Sequence, residues 1–320
     1  MPTIGQRVSR AYRKLRWGMV RGGPGRTPRI LTVSTANGIL SFSNMDLHNA
    51  KALYIHRAWE IDLITSSMDY LKREGLVGKP GRDIMVDVGA NLGMICIAML
   101  QRGYFREAVA IEPDPRNFAL LKRNIEQNGL GGRIRPLPFA VTEEAGEVEL
   151  ELSDVNFGDH RVRATTTGAS ARMGEERRVA VRVPGRRLDD LLRTEARVDP
   201  ARIGLVWVDI QGHEGRLFRG ARETLRYGMP VISEFWPYGI RRSGLERDAY
   251  AEIIRSQFAR FATVDAATGR IEPRDPDEIA ELFDANPRPE QNLELILVPR
   301  SDLREGPNRR SAVSPPPTIE

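Results

Sequence analysis

A glycine-rich loop at residues 87–93 has the residue types needed to bind a cofactor. It reads Asp-Val-Gly-Ala-Asn-Leu-Gly and lies between an apolar run and a helical pattern, the context in which such loops are informative. Gly89 permits a sharp turn and the close approach of a ligand, and Gly93 permits close packing between helix and strand. Glu112 follows nineteen residues after Gly93, at the end of a second predicted strand. Its carboxylate can accept two hydrogen bonds from a ribose diol.

This loop and its acid would suit either of two cofactors. A dinucleotide requires bare backbone at the second glycine of Gly-x-Gly-x-x-Gly, where the pyrophosphate approaches the chain. Asn91 occupies that position here. Asp87 would repel a phosphate but would attract the ammonium and sulfonium groups of S-adenosylmethionine (SAM). The loop therefore favours SAM over NAD, and a purely structural turn is the remaining alternative.

Several residues beyond this loop could remove a proton from an acceptor. Asp209 ends a fourth predicted core strand, His213 begins the helix after it, and His160 lies in a polar loop before it. Methyl transfer to a hydroxyl requires aligned reactants and loss of the acceptor proton, and histidine titrates near neutrality. We therefore predict catalytic roles for His160, Asp209 and His213. A surface-loop histidine is the alternative for His160.

Three more residues near these strand ends are predicted to contact the acceptor. Glu214 lies in the first turn of a helix, and Glu234 and Trp236 lie at the end of a fifth strand. The alternatives are compensation of the helix dipole for Glu214 and core packing for Trp236. Asp159 and Asp209 are among several hard ligands that could hold a divalent metal. Their spacing is not diagnostic, and no metal site is predicted.

Four strings together resemble the FkbM-type branch of the class I methyltransferases, and the resemblance runs from about Trp59 to Pro237. The strings are Asp87–Gly93, Glu112-Pro113, Phe139-Ala140-Val141 and Trp207–Glu214. The resemblance implies SAM as the donor and O-methylation of a hydroxyl on a sugar, polyketide or other small metabolite. The cofactor contacts that we predict are Asp87, Gly89, Asn91, Gly93, Glu112, Pro113, Phe139 and Ala140. Glu143 is an alternative to Phe139-Ala140 for contacting adenine.

The pattern of elements predicts how these groups are positioned. Strands and helices alternate over residues 82–300, which indicates a doubly wound α/β fold, Rossmann-like, with a mostly parallel seven-stranded sheet. Ligands bind at the carboxyl ends of such strands. Core strands are predicted at residues 84–88, 108–111, 134–141, 205–210 and 231–235, with extra strands at 148–152 and 179–183 and an antiparallel edge strand at 293–298.

Composition narrows the class of protein further. The chain has 320 residues, 41% of them hydrophobic, a single cysteine, and neither a membrane-spanning run nor a signal-peptide pattern. These features predict a cytoplasmic protein. The net charge of +5 arises in residues 1–30, which hold eight Arg or Lys and no acid, and this leaves −3 for the rest of the chain. Nucleic acid is therefore not an expected partner. The small-molecule acceptor expected instead is what the family resemblance implies.

Three segments are predicted outside the α/β domain. Residues 31–81 form lead-in strands and a helix, and residues 301–320 form a disordered tail rich in proline, arginine and serine. The basic segment, residues 1–30, could contain a short amphipathic helix that lies on an anionic membrane surface. A disordered leader, or a helix packed on the body through its apolar residues, are the alternatives. Those apolar residues are Val8, Tyr12, Leu15 and Met19.

Overall fold

The computed structural model describes residues 4–23, 25–163, 173–265 and 268–300, with side chains from residue 7 onward. The described helices are α1 (Ile4–Val20), α2 (Asn49–His56), α3 (Ile61–Arg73), α4 (Met94–Gln101), α5 (Pro115–Gln127), α6 (Leu188–Asp190), α7 (Glu214–Gly220), α8 (Arg222–Leu225), α9 (Pro237–Arg242), α10 (Arg247–Gln257) and α11 (Ile279–Ala285). The described strands are β1 (Ile30–Thr35), β2 (Gly38–Ser43), β3 (Ile84–Val88), β4 (Glu107–Ile111), β5 (Ile134–Leu137), β6 (Ala140–Val141), β7 (Gly146–Leu152), β8 (Arg161–Val162), β9 (Val179–Arg186), β10 (Ile203–Val208), β11 (Val231–Phe235), β12 (Phe258–Val264), β13 (Ile271–Arg274) and β14 (Leu293–Pro299). The predicted disordered tail at residues 301–320 lies outside the described residues.

The main sheet has the predicted doubly wound architecture. Its described strands follow the order β13-β12-β14-β11-β10-β3-β4-β5. Strands β5, β4, β3, β10 and β11 are parallel, and the remaining three pair antiparallel. The chain leaves β3 in one direction to build β4 and β5, and later crosses back to build β10 and β11. A ligand crevice forms where this direction reverses, at the carboxyl ends of β3 and β10.

The sheet differs from the prediction in its antiparallel half. Within the described residues it has eight strands rather than seven, because the segment after α10 adds β12 and β13, which pair antiparallel with each other. The edge position predicted for residues 293–298 was wrong, since β14 is inserted between β11 and β12. Leu295, Ile296 and Leu297 are fully buried on both faces of the sheet, as expected for a central strand.

A second sheet covers one end of the crevice. Its described strands follow the order β6-β9-β7-β8. The predicted strand at residues 134–141 is divided between the two sheets, because β5 ends at Leu137 and β6 pairs with β9. Pro138 separates the two strands and has no N–H to continue the first ladder. Phe139 and Ala140 therefore leave the main sheet beside the crevice.

The lead-in strands are fastened to the α/β domain. The backbone N–H of Ser41, in β2, donates to Asn124 Oδ1 at 2.7 Å. The Asn124 Nδ2 donates to the carbonyls of Ser41 at 3.2 Å and Leu92 at 2.8 Å. One buried amide thus joins the β1–β2 hairpin, helix α5 and the glycine-rich loop. None of the described helices is long and apolar enough to cross a bilayer.

Candidate active site

The glycine-rich loop turns from β3 into α4 under tight steric control. Gly89 has a φ of +83°, and a Cβ there would overlap the carbonyl oxygen of Asp209. Only glycine fits, because the chain leaving β10 fills the space of a side chain. Gly93 also has a φ of +83°, and a Cβ there would lie 2.8 Å from a methyl carbon of Leu121 in α5. This glycine therefore permits packing between helices α4 and α5, rather than packing of a helix on a strand as predicted.

Glu112 lies beside the glycine-rich loop and is hydrogen-bonded to it. The N–H of Asn91 donates to one carboxylate oxygen at 2.9 Å, and the N–H of Asp114 donates to the other at 2.8 Å. Burial raises the pKa of Glu112 to about 8, against the opposing effect of these hydrogen bonds. Each carboxylate oxygen has a second lone pair, so Glu112 can also accept hydrogen bonds from a diol.

A cavity of about 270 Å³ opens at the carboxyl ends of the parallel strands. The predicted site residues that line it are Asp87, Gly89, Asn91, Glu112, Pro113, Phe139, Ala140, His160, Asp209, His213 and Glu234. Gly93, Glu214 and Trp236 do not line it. The structure thus brings most of the predicted site residues to one cavity. Lining the cavity does not by itself assign a role to any of them.

One half of the cavity is lined by acidic side chains. Asp209 follows β10, Glu234 lies in β11, and Glu294 lies opposite Glu234 in the neighbouring β14. The Gln211 amide donates to Asp209 at 2.6 Å and to Glu234 at 3.1 Å, and the Asn292 amide donates to Glu234 at 2.6 Å. Neighbouring strand ends therefore concentrate carboxylates beside the glycine-rich loop.

Burial and mutual repulsion make these carboxylates weak acids. Burial raises the pKa of Asp209, and burial together with neighbouring carboxylates raises the pKa of Glu234 and of Glu294 well above the usual range. Burial also raises the pKa of Asp87 to about 7. Such groups favour a cation beside them, because a cation offsets the repulsion between ionised carboxylates.

Glu60 reaches the same cavity from the N-terminal segment. Its backbone is left-handed, with a φ of +50°. Asn37 holds the preceding Trp59, accepting from its N–H at 2.8 Å and donating to its carbonyl at 2.8 Å, and also donates to the carbonyl of Met94 at 3.0 Å. Burial and the nearby Asp209 raise the pKa of Glu60 to about 8. The lead-in segment therefore contributes an acidic group to the cavity.

Sequence reasoning missed part of this acidic half. Glu60, Gln211, Asn292 and Glu294 line the cavity, and none was predicted to do so. A signal existed for Glu294, which is a lone carboxylate in the apolar run of β14. Gln211 also had a signal, because it lies between the predicted site residues Asp209 and His213. Glu60 and Asn292 gave none, because only the tertiary structure brings their loops to the cavity.

His160 lies in the cavity in a defined protonation state. The N–H of Ser153 donates to its Nδ1 at 3.1 Å, so the ring proton lies on Nε2. Nε2 is 3.9 Å from a carboxylate oxygen of Asp114. Burial lowers the pKa of His160 to about 4. Neutral His160 therefore presents a hydrogen-bond donor to the cavity and has no free lone pair to act as the predicted base. Asp159 does not orient it, since its carboxylate pairs with Arg161 and Arg178.

His213, unlike His160, has a ring that can accept a proton. It lies at the start of α7, half-buried, and lines the cavity. Burial and the positive charge of Arg216 lower its pKa to about 4, so it is neutral near pH 7. No hydrogen bond engages its ring nitrogens within the described ranges. One of these nitrogens therefore has a lone pair that can accept a proton.

Glu214 and Trp236 have structural positions outside the cavity lining. Glu214 is fully buried and accepts hydrogen bonds from the N–H groups of Ile210 at 3.2 Å and Gly212 at 3.1 Å. Trp236 is also buried, and its indole N–H donates to the carbonyl of Pro289 at 2.6 Å. The contacts of Glu214 close the turn before α7, and those of Trp236 hold it at the edge of the core, which agrees with the core packing considered for Trp236. Neither side chain lines the cavity, where they were predicted to contact the acceptor.

Two further alternatives can be compared with the structure. Glu143, the alternative adenine contact, pairs with Arg216 at 2.8 Å and Arg219 at 3.5 Å and does not line the cavity. Among the residues that the structure describes, no group of three or more His, Cys, Asp or Glu side chains is arranged to hold a metal ion. The predicted adenine contacts, Phe139 and Ala140, do line the cavity.

The fold and the cavity define a class of protein, a doubly wound α/β protein with a ligand site at the carboxyl ends of its parallel strands. The sequence model of the methyltransferase FkbM domain matches residues 87–261, which is more than half of the chain. The chain belongs to this FkbM family, and SAM is its methyl donor. This finding excludes the alternative of an NAD-linked oxidoreductase.

Curated relatives are similar over about half of the chain. It is 28% identical to "2-O-methyltransferase NoeI" of Sinorhizobium fredii (strain NBRC 101917 / NGR234) over 50% of its length, an alignment that spans 65% of that relative. It is 28% identical to "Methyltransferase sdnD" of Sordaria araneosa over 51% of its length and 70% of that relative. A geranyl diphosphate C-methyltransferase from Streptomyces coelicolor A3(2), solved with S-adenosyl-L-homocysteine, has a TM-score of 0.39 at 12% identity, over 93% of this chain and 99% of that one.

The cavity has unpartnered polar groups that suit SAM. Within the described residues, buried atoms without a hydrogen-bond partner include Asn91 Oδ1, Asn117 Oδ1 and His160 Nε2, all on residues that line the cavity. Buried polar atoms are ordinarily satisfied by a ligand or an ordered water. SAM has hydroxyl, amino and ammonium donors, together with a positive sulfonium. The two unpartnered acceptor oxygens, of Asn91 and Asn117, and the acidic side chains of the cavity therefore match the donor groups and the charge of this ligand.

Proposed function

We propose that this protein transfers the methyl group of SAM to a hydroxyl of a small metabolite, with sugars and polyketides as the acceptor classes. The observation that carries the proposal is that groups able to accept a proton, His213, Asp209 and Glu234, line the cavity together with the glycine-rich loop. A hydroxyl is a poor nucleophile until it loses its proton, so its methylation requires such groups. The relative named as a 2-O-methyltransferase supports the same reaction type.

The donor half of the cavity would hold SAM. Glu112 would accept hydrogen bonds from the ribose diol, and Phe139 and Ala140 would contact the adenine. Asp87 and Glu60 would compensate the positive charge, aided by the carboxylates on β10, β11 and β14. When bound, SAM supplies a methyl carbon that is already activated by its sulfonium. The chain's own contribution is then to align the acceptor and to exclude water.

We assign removal of the acceptor proton to His213. Its neutral ring lines the cavity, and no described residue engages its lone pair. Asp209 and Glu234 would orient the acceptor hydroxyl, because their carboxylates are held rigidly by Gln211. His160 would donate a hydrogen bond through Nε2 and position a ligand, since its other nitrogen is occupied by the N–H of Ser153.

The reaction can be tested with SAM labelled with ¹³C in the methyl group and a panel of sugars and polyketide alcohols. Each acceptor is paired with an analogue that lacks one hydroxyl, and NMR identifies the labelled product. We expect an O-methyl signal that is lost with one of the deoxy analogues. Products methylated on nitrogen or carbon would overturn the hydroxyl assignment, and no product from any class would favour a non-catalytic binding protein.

The role of His213 is tested on the same assay. His213→Ala should lower kcat by ~10²–10⁴-fold, the usual contribution of a general base, with SAM affinity unchanged by calorimetry. His56→Ala is the matched control, because this exposed histidine on α2 does not line the cavity. Because the pKa of His213 is lowered to about 4, wild-type kcat/KM should be insensitive to this group above about pH 5 and fall below it. Turnover retained in His213→Ala would contradict the assignment.

A further inference from the structure

Helix α1 exposes an apolar stripe to solvent. Val8, Tyr12, Leu15 and Met19 recur at intervals of four, three and four residues, which brings them to one face of the helix. Their exposed fractions are 63%, 59%, 71% and 64%, respectively. No described part of the chain covers this face. Such a run of large apolar side chains on one exposed helix face marks an interaction surface.

The opposite face of α1 attaches the helix to the body of the protein. Trp17 is buried and its ring lies 5.5 Å from that of Tyr54 in α2. The Arg13 guanidinium donates to the carbonyl of Ile55 at 2.8 Å, and Val20 packs against the core. At about 100° per residue, these side chains lie on the side of the helix away from Leu15. The alternative in which α1 packs on the body through its apolar stripe is therefore wrong.

The charge around the stripe has a single sign. Residues 1–59 contain ten Arg or Lys and one acidic residue, Asp46, which is buried. On α1 itself, Arg16 lies beside the stripe on one side, and Arg7 and Lys14 lie farther round the helix on the other side. A protein partner could match the apolar stripe alone. An apolar stripe on a helix whose charged residues are all basic matches the surface of an anionic bilayer, where an apolar interior lies beneath negatively charged headgroups.

We propose that α1 binds the surface of membranes containing anionic lipids. The helix lies in the plane of the interface, with the apolar stripe at the acyl boundary and with the arginine and lysine heads among the lipid phosphates. Because α1 packs against α2, and because His48 and Asn49 at the start of α2 line the cavity, the cavity lies one helix away from the lipid surface. The proposal is independent of the acceptor assigned above.

The test uses the full chain and sedimentation with vesicles. One vesicle is phosphatidylcholine alone, and the other contains equal parts of phosphatidylcholine and phosphatidylglycerol. We expect binding to the anionic vesicle only, with at least about a tenfold loss of the partition coefficient when NaCl is raised from ~0.05 to ~0.5 M, where charges are screened. Leu15→Gln with Met19→Gln should lower partitioning at least about tenfold, because glutamine keeps helix propensity but removes apolar surface.

A matched variant controls for the loss of exposed apolar surface. Val179→Gln with Tyr227→Gln changes two exposed apolar side chains outside α1 and should leave partitioning unchanged. Unfolding by urea checks that both double variants remain folded, as expected for exposed positions. Equal binding to both vesicles, or equal loss in both double variants, would overturn the proposal. The proposal would also be overturned if the wild-type protein did not bind vesicles but self-associated through α1. In that case light scattering would show an oligomer for the wild type and a monomer for the Leu15→Gln/Met19→Gln variant.

Discussion

At the scale of single residues, Glu112 is the proposed ribose acceptor and is bonded to the glycine-rich loop. Its carboxylate accepts the N–H groups of Asn91 and Asp114 and lines the cavity. Glu112→Gln keeps the size of the side chain but replaces one acceptor oxygen with a donor. We expect SAM affinity, measured by calorimetry, to fall at least about tenfold, since a buried polar group left without its acceptor costs about 1–3 kcal/mol.

The control for this variant lies on the same strand. Glu107→Gln changes an exposed carboxylate at the opposite end of β4, where it pairs with Arg202. It should leave SAM affinity unchanged, because an exposed pair contributes little and lies away from the cavity. If the two variants bind SAM equally well, Glu112 is not the ribose acceptor.

At the scale of the elements, Asn124 holds the lead-in hairpin against the donor loop. Asn124→Ala removes the buried partner of the Ser41 N–H and of the Ser41 and Leu92 carbonyls. We expect the free energy of unfolding by urea to fall by about 3 kcal/mol, because each unsatisfied buried group costs about 1–3 kcal/mol and the effects overlap. SAM affinity should fall as well, since Leu92 lies in the loop.

A variant at the neighbouring Gln127 tests whether the loss of stability expected for Asn124→Ala depends on burial of the hydrogen bond. Gln127 bonds the same hairpin, donating to the carbonyl of Ile39 at 2.6 Å, but it is half-exposed. Gln127→Ala should cost about 1 kcal/mol or less, because water can replace the lost partner. Equal costs for the two variants would show that the hairpin does not depend on the buried amide.

At the scale of the whole molecule, buried carboxyls determine how stability depends on pH. The pKa values of Asp87 and Glu214 are raised to about 7 and that of Glu112 to about 8, against about 4 in an unfolded chain. The folded state therefore binds these protons more tightly. Stability that is present at low pH is lost as the pH rises through the folded values.

The buried histidines act in the opposite direction and in a lower range. The pKa values of His160 and His213 are lowered to about 4, so the stability that they contribute is lost as the pH falls below about 6.5. Between about pH 6.5 and 8.5, the carboxyls dominate. We expect the free energy of unfolding of the ligand-free protein, measured with urea, to fall across this range. A rise instead would contradict the folded pKa values of the carboxyls, and Glu112→Gln should give a smaller fall.

The sequence by itself determined the parts that depend on local chemistry. The spacing of the glycines predicted the loop, and the position of an acid at the end of the second strand predicted Glu112. The alternation of apolar runs predicted the parallel half of the sheet. Each of these follows from neighbours within a few residues, because strand period, turn geometry and ligand approach are local constraints.

The tertiary structure decided what depends on contacts between distant segments. Three features require packing that spacing does not encode: the insertion of β14, the arrival of Glu60 and Asn292 at one cavity, and the separation of Trp236 from it. His160 shows the same limit, since a single N–H from Ser153 fixes its tautomer and makes it a donor. The sequence of α1 did not determine which of its faces packs on the body of the protein. The burial of Trp17 in the structure leaves the apolar stripe facing solvent. Local sequence specifies which groups are present, whereas long-range packing determines which atoms have partners.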